Sequence, residues 1–334
     1  MNIKDVAQRA GVSIATVSNT LNGRKRVSEE KRKAVLAAAE ELGYIPNINA
    51  RLMKGMHTDN LGLFIPYIEG PFYQALMSAV YYACQSAGYA LYIHVEDATD
   101  TKRAVSSILS CNIDGAIVLN DHLHDDEIAA IRQRGLPMVF LDRQISDTNI
   151  GSVILDNEKG TARQVEYLFH TGHRRIAYMR GQFNYDGDTR FRVFTDMMRR
   201  LNLPIDDRLI RNGSFNADDA YSETRAMCRS LSVLPDAMIF ADDVMALGAL
   251  RAFRELGIEV PGDISIIGFD DLGGMDKIVP PLTTIGYSMK DYALTAVTEL
   301  MRLIGDHDGG GRIRMIDTEL IVRDSVKIRY GETL

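Results

Sequence analysis

Short apolar runs that alternate with helical segments from residue 60 onward limit the fold of this chain more than any other feature. The runs have mainly apolar centres, as in strands that are buried on both faces of a parallel sheet. Helical segments such as 72–87 and 244–256 separate them, which predicts parallel sheets with helices on both faces. Two sets of runs predict two lobes: "LGLFIP" (61–66), "YALYIHV" (89–95), "GAIVL" (115–119) and "PMVFLD" (137–142), then "RRIAYMRG" (174–181), "AMIFADD" (237–243) and "ISIIGFDD" (264–271).

The first 58 residues differ from the rest in charge. They carry ten Lys and Arg against five Asp and Glu, a net charge of +5, whereas the remaining residues carry 28 against 40, a net charge of −12. A basic head on an acidic body is expected when only the head meets a polyanion. The distribution favours nucleic acid as the partner of the head, although small domains often deviate by a few charges.

Apolar spacing in the head predicts three short helices. Gly11 can adopt the positive φ of a sharp reversal after the first helix. Ser13 and Ser28 can cap the second and third helices, and Gly43 ends the third. Two short helices joined by a tight glycine turn are a helix-turn-helix, whose second helix enters the major groove. The alternative is a small three-helix bundle that makes protein contacts.

The head and body both resemble the lactose/galactose repressor family of bacterial regulators. The resemblance rests on "IKDVAQRAGVSIATVSNTLNG" and "VSEEKRKAVLAAAEELGYIPNINARLMKG" in the head, and on "GHRRIAY", "MALGALRAFRELGIEVPGDISIIGFDD" and "PPLTTI" in the body. It implies an all-α helix-turn-helix head and an α/β core of two doubly wound parallel-sheet lobes, similar to periplasmic binding proteins. The expected bounds are a head at 1–46, a hinge helix and linker at 47–58, and a core at 59–334, with a first lobe at about 60–158 and 286–316 and a second at about 159–285 and 317–330.

The resemblance also implies how the head meets DNA. The hinge helix orders on the operator and inserts an apolar side chain, here Met53, into the minor groove. "GRKR" at 23–26 supplies charge toward the phosphates. The candidate DNA contacts are Ser13, Ile14, Ala15, Thr16, Ser18, Asn19, Asn22, Arg24, Asn47, Ala50, Arg51, Met53 and Lys54.

Candidate effector residues follow the predicted strands, because ligands of open parallel sheets bind beyond the carboxyl ends of the strands. Carboxylates there accept hydrogen bonds from hydroxyls, and ring faces cover the apolar side of a sugar. Strand ends and the resemblance together give Phe72, Tyr73, Asp142, Arg192, Phe215, Asp242, Asp270 and Tyr287.

The chain departs from the family at two of these positions and at one beside them. Thr195 stands three residues after Arg192, where the family has Gly. Asp242 and Tyr287 stand where Asn and Gln are frequent. A site this acidic favours a neutral or cationic polyol over a phosphorylated sugar, whereas an arginine favours an anion.

Other features indicate a cytoplasmic protein without a cofactor. The three cysteines form no CxxC pair, and neither a secretory signal nor a membrane-spanning run is visible. His122 and His124 lie two apart in an acidic loop, a spacing that we interpret as solvated surface and not as a metal site.

These observations predict a homodimeric repressor of carbohydrate-utilisation genes, whose affinity for operator DNA is set by a sugar-like effector between the lobes. Two alternatives remain at this point. A solute-binding protein would share the body but would be exported, and an α/β enzyme acting on a sugar would need a nucleophile or an acid/base pair.

The first prediction concerns Asn19, which stands where the family usually has an arginine that reads guanine. Arginine pairs with the two acceptors of guanine, whereas asparagine matches the donor and acceptor of adenine. We therefore expect selection from random duplexes to return half-sites with adenine at that base pair, and Asn19→Arg to restore guanine. Recovery of guanine by the unaltered protein would contradict the prediction.

Overall fold

The computed structural model describes residues 2–21, 27–44, 57–97, 99–141, 143–305 and 309–329. The chain divides into two compact units, Met1–Thr58 and Asp59–Leu334. Within the described residues, no helix is both long enough and apolar enough to cross a bilayer.

The described part of the first unit contains three helices, as the spacing of apolar residues predicts. Fully buried Val6, Val17 and Val35 bring one side chain from each helix into a common core. Arg9 and Glu41 add an ion pair of 2.6 Å between the first helix and the third. The helices are α1 (Ile3–Ala10), α2 (Ile14–Leu21) and α3 (Glu29–Glu41).

The ends of these helices follow from their sequence. Asn2 and Asp5 form a capping box at the start of α1, and Gly11 ends it with φ of 63°. Ser13 Oγ accepts a hydrogen bond of 3.1 Å from the amide of Thr16, which satisfies a donor at the start of α2. Ser28 occupies the N-cap position of α3, but its side chain makes no capping hydrogen bond, so the predicted cap is positional only.

The second unit alternates strands and helices, as the apolar runs predict. Its elements are β1 (Asn60–Ile65), α4 (Pro71–Ser86), β2 (Ala90–Val95), α5 (Thr101–Ser110), β3 (Gly115–Val118), α6 (Asp125–Gln133), β4 (Met138–Phe140), β5 (Ile150–Leu155), α7 (Asn157–His170), β6 (Ile176–Arg180), α8 (Tyr185–Arg200), a 3₁₀ turn (Asp207–Leu209), β7 (Ile210–Asn212), α9 (Ala217–Ser230), β8 (Ala237–Phe240), α10 (Asp243–Leu256), β9 (Ser265–Asp270), β10 (Thr284–Gly286), α11 (Met289–Gly305), β11 (Ile313–Ile316) and β12 (Glu319–Ile321).

Two six-stranded sheets divide this unit into two lobes. The first sheet has the order β11-β5-β4-β3-β1-β2 and the second β12-β10-β9-β8-β6-β7. All strand pairs are parallel except β10 with β12. Together with the head, these sheets confirm the predicted fold class. Strands β5, β7, β10, β11 and β12 were not among the predicted runs.

The chain passes between the lobes three times, after β5, β10 and β11. Hydrogen bonds connect these passages. Thr318 Oγ1 donates to the carbonyl of Asp156 at 3.0 Å, Lys159 pairs with Asp317, and Gly286 of β10 pairs with Glu319 of β12.

Strand β2 corrects one expectation, because the run "YALYIHV" is not buried. β2 lies at the edge of its sheet and pairs only with β1 among the described strands. Tyr92, Ile93 and Val95 are consequently 48%, 42% and 43% exposed. An apolar edge strand of this kind is a surface that natural proteins usually cover.

The buried His173 connects the loop before β6 to β9. Its Nε2 lies 2.8 Å from Ser265 Oγ, and its Nδ1 lies 3.1 Å from both the Leu168 carbonyl and Thr171 Oγ1. Burial lowers the pKa of His173 below its ordinary value of 6.5. The folded protein therefore holds this imidazole neutral.

We expect acid to weaken the fold through His173. The unfolded chain takes up a proton near pH 6.5 and the folded chain does not, so this contribution is present above that pH and is lost as the pH falls toward 5. His173→Gln should destabilise the protein at neutral pH by about 1–3 kcal/mol through lost hydrogen bonds, and should reduce the loss between pH 7 and 5. Denaturant unfolding at both pH values checks this; equal pH dependence in the two proteins would contradict it.

Candidate functional site

Helix α2 presents small and polar side chains on the exposed side of the head. Ser13 and Ala15 are exposed, and Ile14 is 45% exposed although the apolar spacing also suited it to the core. Thr16, Ser18 and Asn19 are half-buried. Apart from Ile14, the face carries only small groups, which permits close approach to base edges.

Several candidate residues lie outside the described part of the chain. They are the DNA-contact candidates Asn22, Arg24, Asn47, Ala50, Arg51, Met53 and Lys54, and the effector candidate Asp142.

A cavity of about 500 Å³ lies between the two lobes of the core, within the usual range of small-molecule sites. Loops that follow the carboxyl ends of the strands line it from both lobes, as the strand-end rule predicts. Of the candidate residues, Phe72, Tyr73, Phe215, Asp242 and Asp270 line this cavity.

The first lobe contributes an aromatic wall. Pro71 at the first turn of α4 follows Gly70, whose φ of 94° turns the chain from β1 into the helix. The Phe72 and Tyr73 rings meet edge-on at 5.3 Å, and Tyr67 packs edge-on against Tyr73 at 5.6 Å. This wall can cover an apolar ligand face.

Phe215 of the second lobe lines the cavity as well. It has φ of 56°, and its neighbour Ser214 has φ of 52°, so a left-handed turn carries the ring. A Cβ at residue 181 would lie 2.1 Å from the ring, so glycine at that position is what permits the ring to pack there.

Two carboxyl groups form the inner wall. Asp242 is the N-cap of α10 and accepts a hydrogen bond of 2.7 Å from the Met245 amide. Asp270 ends β9 with φ of 111°. Burial raises the pKa of Asp242 to about 6 and raises the pKa of Asp270 well above its ordinary value.

Arg190 holds this wall in place. Its Nε donates to Asn157 Oδ1 at 2.7 Å and its Nη1 donates to the Ala241 carbonyl. Its Nη2 lies 3.9 Å from Asp270 Oδ1, and the guanidinium lies 3.6 Å from the centre of the Phe269 ring. The one side chain thus joins α7, α8 and the ends of β8 and β9.

Arg192, the arginine that the resemblance assigned to the ligand, does not line the cavity. It is 55% exposed and pairs with Glu158 and Asp196 on the outside of the lobe. The reason is helical geometry: two residues along a helix turn a side chain by about 200°, so Arg190 points inward and Arg192 outward. The residue three after Arg190 is Val193, which is also not the family's Gly.

Tyr287 is also displaced from its expected position. Its hydroxyl is buried, and among the described residues it has no hydrogen-bond partner. Burial raises its pKa well above the ordinary value. Tyr292, which contacts Tyr287 edge-on at 6.0 Å, lines the cavity instead.

One hydrogen bond crosses the cleft between loops of the two lobes. Asn184 Nδ2 donates to Asp121 Oδ2 at 2.8 Å, while Asn184 Oδ1 accepts from the Gly187 amide at the start of α8. Asp186 in the same turn accepts from Asn157 at 2.6 Å, and burial raises its pKa.

Several residues that line the cavity were not among the candidates predicted from the sequence. Asn120, Asp121 and His122 directly follow β3, so the strand-end rule would have found them. Arg190 could have been found as a charged residue on the buried stripe of α8. The lining residues not assigned beforehand include Glu69, Asn120, Asp121, His122, Gln182, Asn184, Asp186, Arg190, Ser214, Asn216, Asp218 and Tyr292.

The described residues hold no group of three or more His, Cys, Asp or Glu side chains placed to bind a metal. His124 instead stands at the N-cap of α6, where its amide donates to Glu127 at 2.9 Å. The described residues that line the cavity provide hydrogen-bond acceptors, aromatic faces and one arginine, which are the groups that a ligand-binding site uses.

Comparison with known proteins agrees with this organisation. Residues 2–47 match the family described as "Bacterial regulatory proteins, lacI family", and residues 165–326 match "Periplasmic binding protein-like domain". The transcriptional repressor PurR of Serratia proteamaculans is 34% identical over 331 residues, with 97% of this chain and 96% of that protein covered. The probable repressor ExuR of Bacillus subtilis is 30% identical over 335 residues, with 98% of each covered.

Solved structures that are similar to this chain cover both its head and its core. A lac repressor dimer bound to operator and the anti-inducer ONPF is 28% identical with a TM-score of 0.85, covering 98% of this chain and 99% of that chain. A complex of the transcriptional regulator CelR with cellobiose is 27% identical with a TM-score of 0.73, covering 97% and 99%.

PurR and ExuR are named as transcriptional repressors and not as enzymes, and their similarity to this chain covers both the head and the two-lobed core. The chain belongs to the lacI family of bacterial regulatory proteins, which are DNA-binding transcriptional repressors.

Proposed function

We propose that this repressor controls carbohydrate-utilisation genes and that a sugar-like effector in the interlobe cleft sets its affinity for operator DNA. The observation that supports this most is the pairing of aromatic faces with carboxyl groups in one cavity. Phe72 and Tyr73 stand on the first lobe, and Asp242 and Asp270 on the second. A sugar ring has an apolar face for the first pair and hydroxyl donors for the second.

The relatives support a small-molecule effector, and the solved structures include one with a sugar. The structure of CelR contains cellobiose. The names PurR and ExuR do not by themselves give this chain a ligand. A flat heterocycle between Phe72 and Phe215 is the second candidate, because aromatic rings from both lobes line the cavity. A polyol uses the many acceptors better than a heterocycle with few donors does.

The same proposal includes a homodimer that reads two half-sites. The edge strand β2 leaves Tyr92, Ile93 and Val95 exposed, and Tyr81 and Tyr82 of α4 are 43% and 66% exposed. A second copy that covers this apolar surface would remove the unpaired edge. Two heads then engage half-sites about one helical turn apart.

Effector binding acts by changing the angle between the lobes. Since the cavity has walls on both lobes, a ligand that contacts both walls favours one angle over others. Coupling of this kind is typically about 1–3 kcal/mol, or roughly 5–150-fold in affinity.

A gel shift tests the proposed function directly. The purified protein should retard DNA from upstream of its own gene in preference to bulk competitor, and at least one mono- or disaccharide should change that affinity by about fivefold or more. A response to purine bases with no response to any sugar would reject the carbohydrate assignment. Catalytic turnover of the sugar is not expected.

The two arginines of α8 provide a matched pair of variants. Arg190→Gln removes the buried guanidinium that shapes the inner wall, and it should weaken effector binding at least tenfold, about 1.4 kcal/mol. Arg192→Gln alters an exposed residue outside the cavity and should change effector binding less than twofold. Calorimetry with the responsive sugar measures both, and gel shifts without effector verify that each variant still binds operator. Equal losses in the two variants would contradict this assignment.

A further inference from the structure

The interlobe cavity carries far more negative than positive groups. Among the described residues that line it, Arg190 is the single lysine or arginine. His122 is 47% exposed and lies 3.6 Å from Asp121. The lining carboxyl groups belong to Glu69, Asp121, Asp186, Asp218, Asp242 and Asp270.

The guanidinium of Arg190 already has partners within the protein. Two of its nitrogens donate to Asn157 and to the Ala241 carbonyl, its third faces Asp270, and its plane covers the Phe269 ring. An anionic ligand would have to compete with all of these partners. The cavity is therefore poorly suited to a phosphate or a carboxylate.

Three of the lining acids have partners within the protein. Asp218 pairs with Arg251 at 2.7 Å. Asp121 accepts from Asn184, and Asp186 accepts from Asn157. Glu69 is exposed to solvent at the edge of the first lobe.

Asp242 and Asp270 differ from these acids, because they are buried and have too few partners. The Asp270 side chain is 8% exposed, and among the described residues its carboxyl has no hydrogen bond and only Arg190 at 3.9 Å as counter-charge. Asp242 is 7% exposed, and its hydrogen bond within the described residues comes from the Met245 amide. Buried carboxylates without compensation are costly.

The two acids are also neighbours. Ile239 of β8 pairs with Ile267 of β9, and each acid lies three residues beyond this pair. Adjacent strands are about 4.8 Å apart, so the two residues follow neighbouring strand ends, and the charge of Asp242 is one of the causes that raise the pKa of Asp270. Burial raises the pKa of both carboxyl groups, and the nearby Arg190 offsets this only in part.

We propose that the effector is a polyol that carries a protonated amine, and that the amine binds at Asp242 and Asp270. This inference rests on the proposed function, since it names the chemical class of the ligand of the same cleft. A single cation between two neighbouring acids supplies the charge that Arg190 does not. The aromatic rings of Phe72, Tyr73 and Phe215 line the same cavity and can cover the apolar face of the polyol.

Matched ligand pairs isolate the amine. Calorimetry at a pH below the pKa of the amine compares glucosamine, galactosamine and mannosamine with glucose, galactose and mannose, and includes N-acetylglucosamine as an uncharged amide. At least one hexosamine should bind ten times or more tightly than its parent hexose. Its binding should release protons, seen as a dependence on buffer ionisation enthalpy, because the cation favours the ionised carboxyls.

Variants then locate the amine. Asp242→Asn and Asp270→Asn should each reduce the preference for the amine to less than threefold. Asparagine is a good N-cap and tolerates positive φ, so it suits both backbone positions. Asp196→Asn is the control, because that acid lies outside the cavity, where it pairs with Arg192 and Arg199, and it should keep the full preference.

Two results would overturn the inference. One is that each hexose binds as tightly as its hexosamine, and the other is that no hexosamine binds to a protein that still binds operator. If a neutral sugar then changes operator affinity, the proposed function stands without the amine. If no polyol, charged or neutral, changes operator affinity, the proposed function fails too.

Discussion

The inner wall of the cleft depends on the contacts that the buried guanidinium of Arg190 makes. It ties Asn157 at the start of α7 to the end of β8, and it faces Asp270 at the end of β9. A cation at this depth is stable because hydrogen bonds and an aromatic ring replace the water that it loses. Without it, Asp270 would be buried with no counter-charge from the described residues, and the ends of α7, β8 and β9 would lose their shared partner.

The head and most of the buried strands could be predicted because local rules determine them. Gly11 permits the reversal between α1 and α2, and Val6 and Val17 occupy the predicted apolar faces. The rule that ligands lie beyond the ends of parallel strands placed Asp242 and Asp270 correctly beside the cavity. The same rule applied to β3 would have added Asp121. The acidic composition of its loop instead favoured the interpretation as solvated surface.

Other features depend on information that a single sequence does not contain. The apolar run of β2 does not reveal that the strand lies at an edge, since strand order is a property of the whole sheet. Arg190 and Arg192 are equivalent in composition, and only the rotation of α8 separates a buried residue from an exposed one. Tyr287 packs against Tyr292, and of these two residues it is Tyr292 that lines the cavity.

Hydrogen bonds join the three segments that pass between the lobes. Thr318 reaches the carbonyl of Asp156, and Gly286 pairs with Glu319. Segments joined in this way bend together, so the lobes have a common axis about which to rotate. A movement of one wall by a fraction of an ångström at the cavity grows in proportion to distance from that axis. The end of the first lobe that lies farthest from this axis therefore moves farther than the cavity walls do when the lobes rotate.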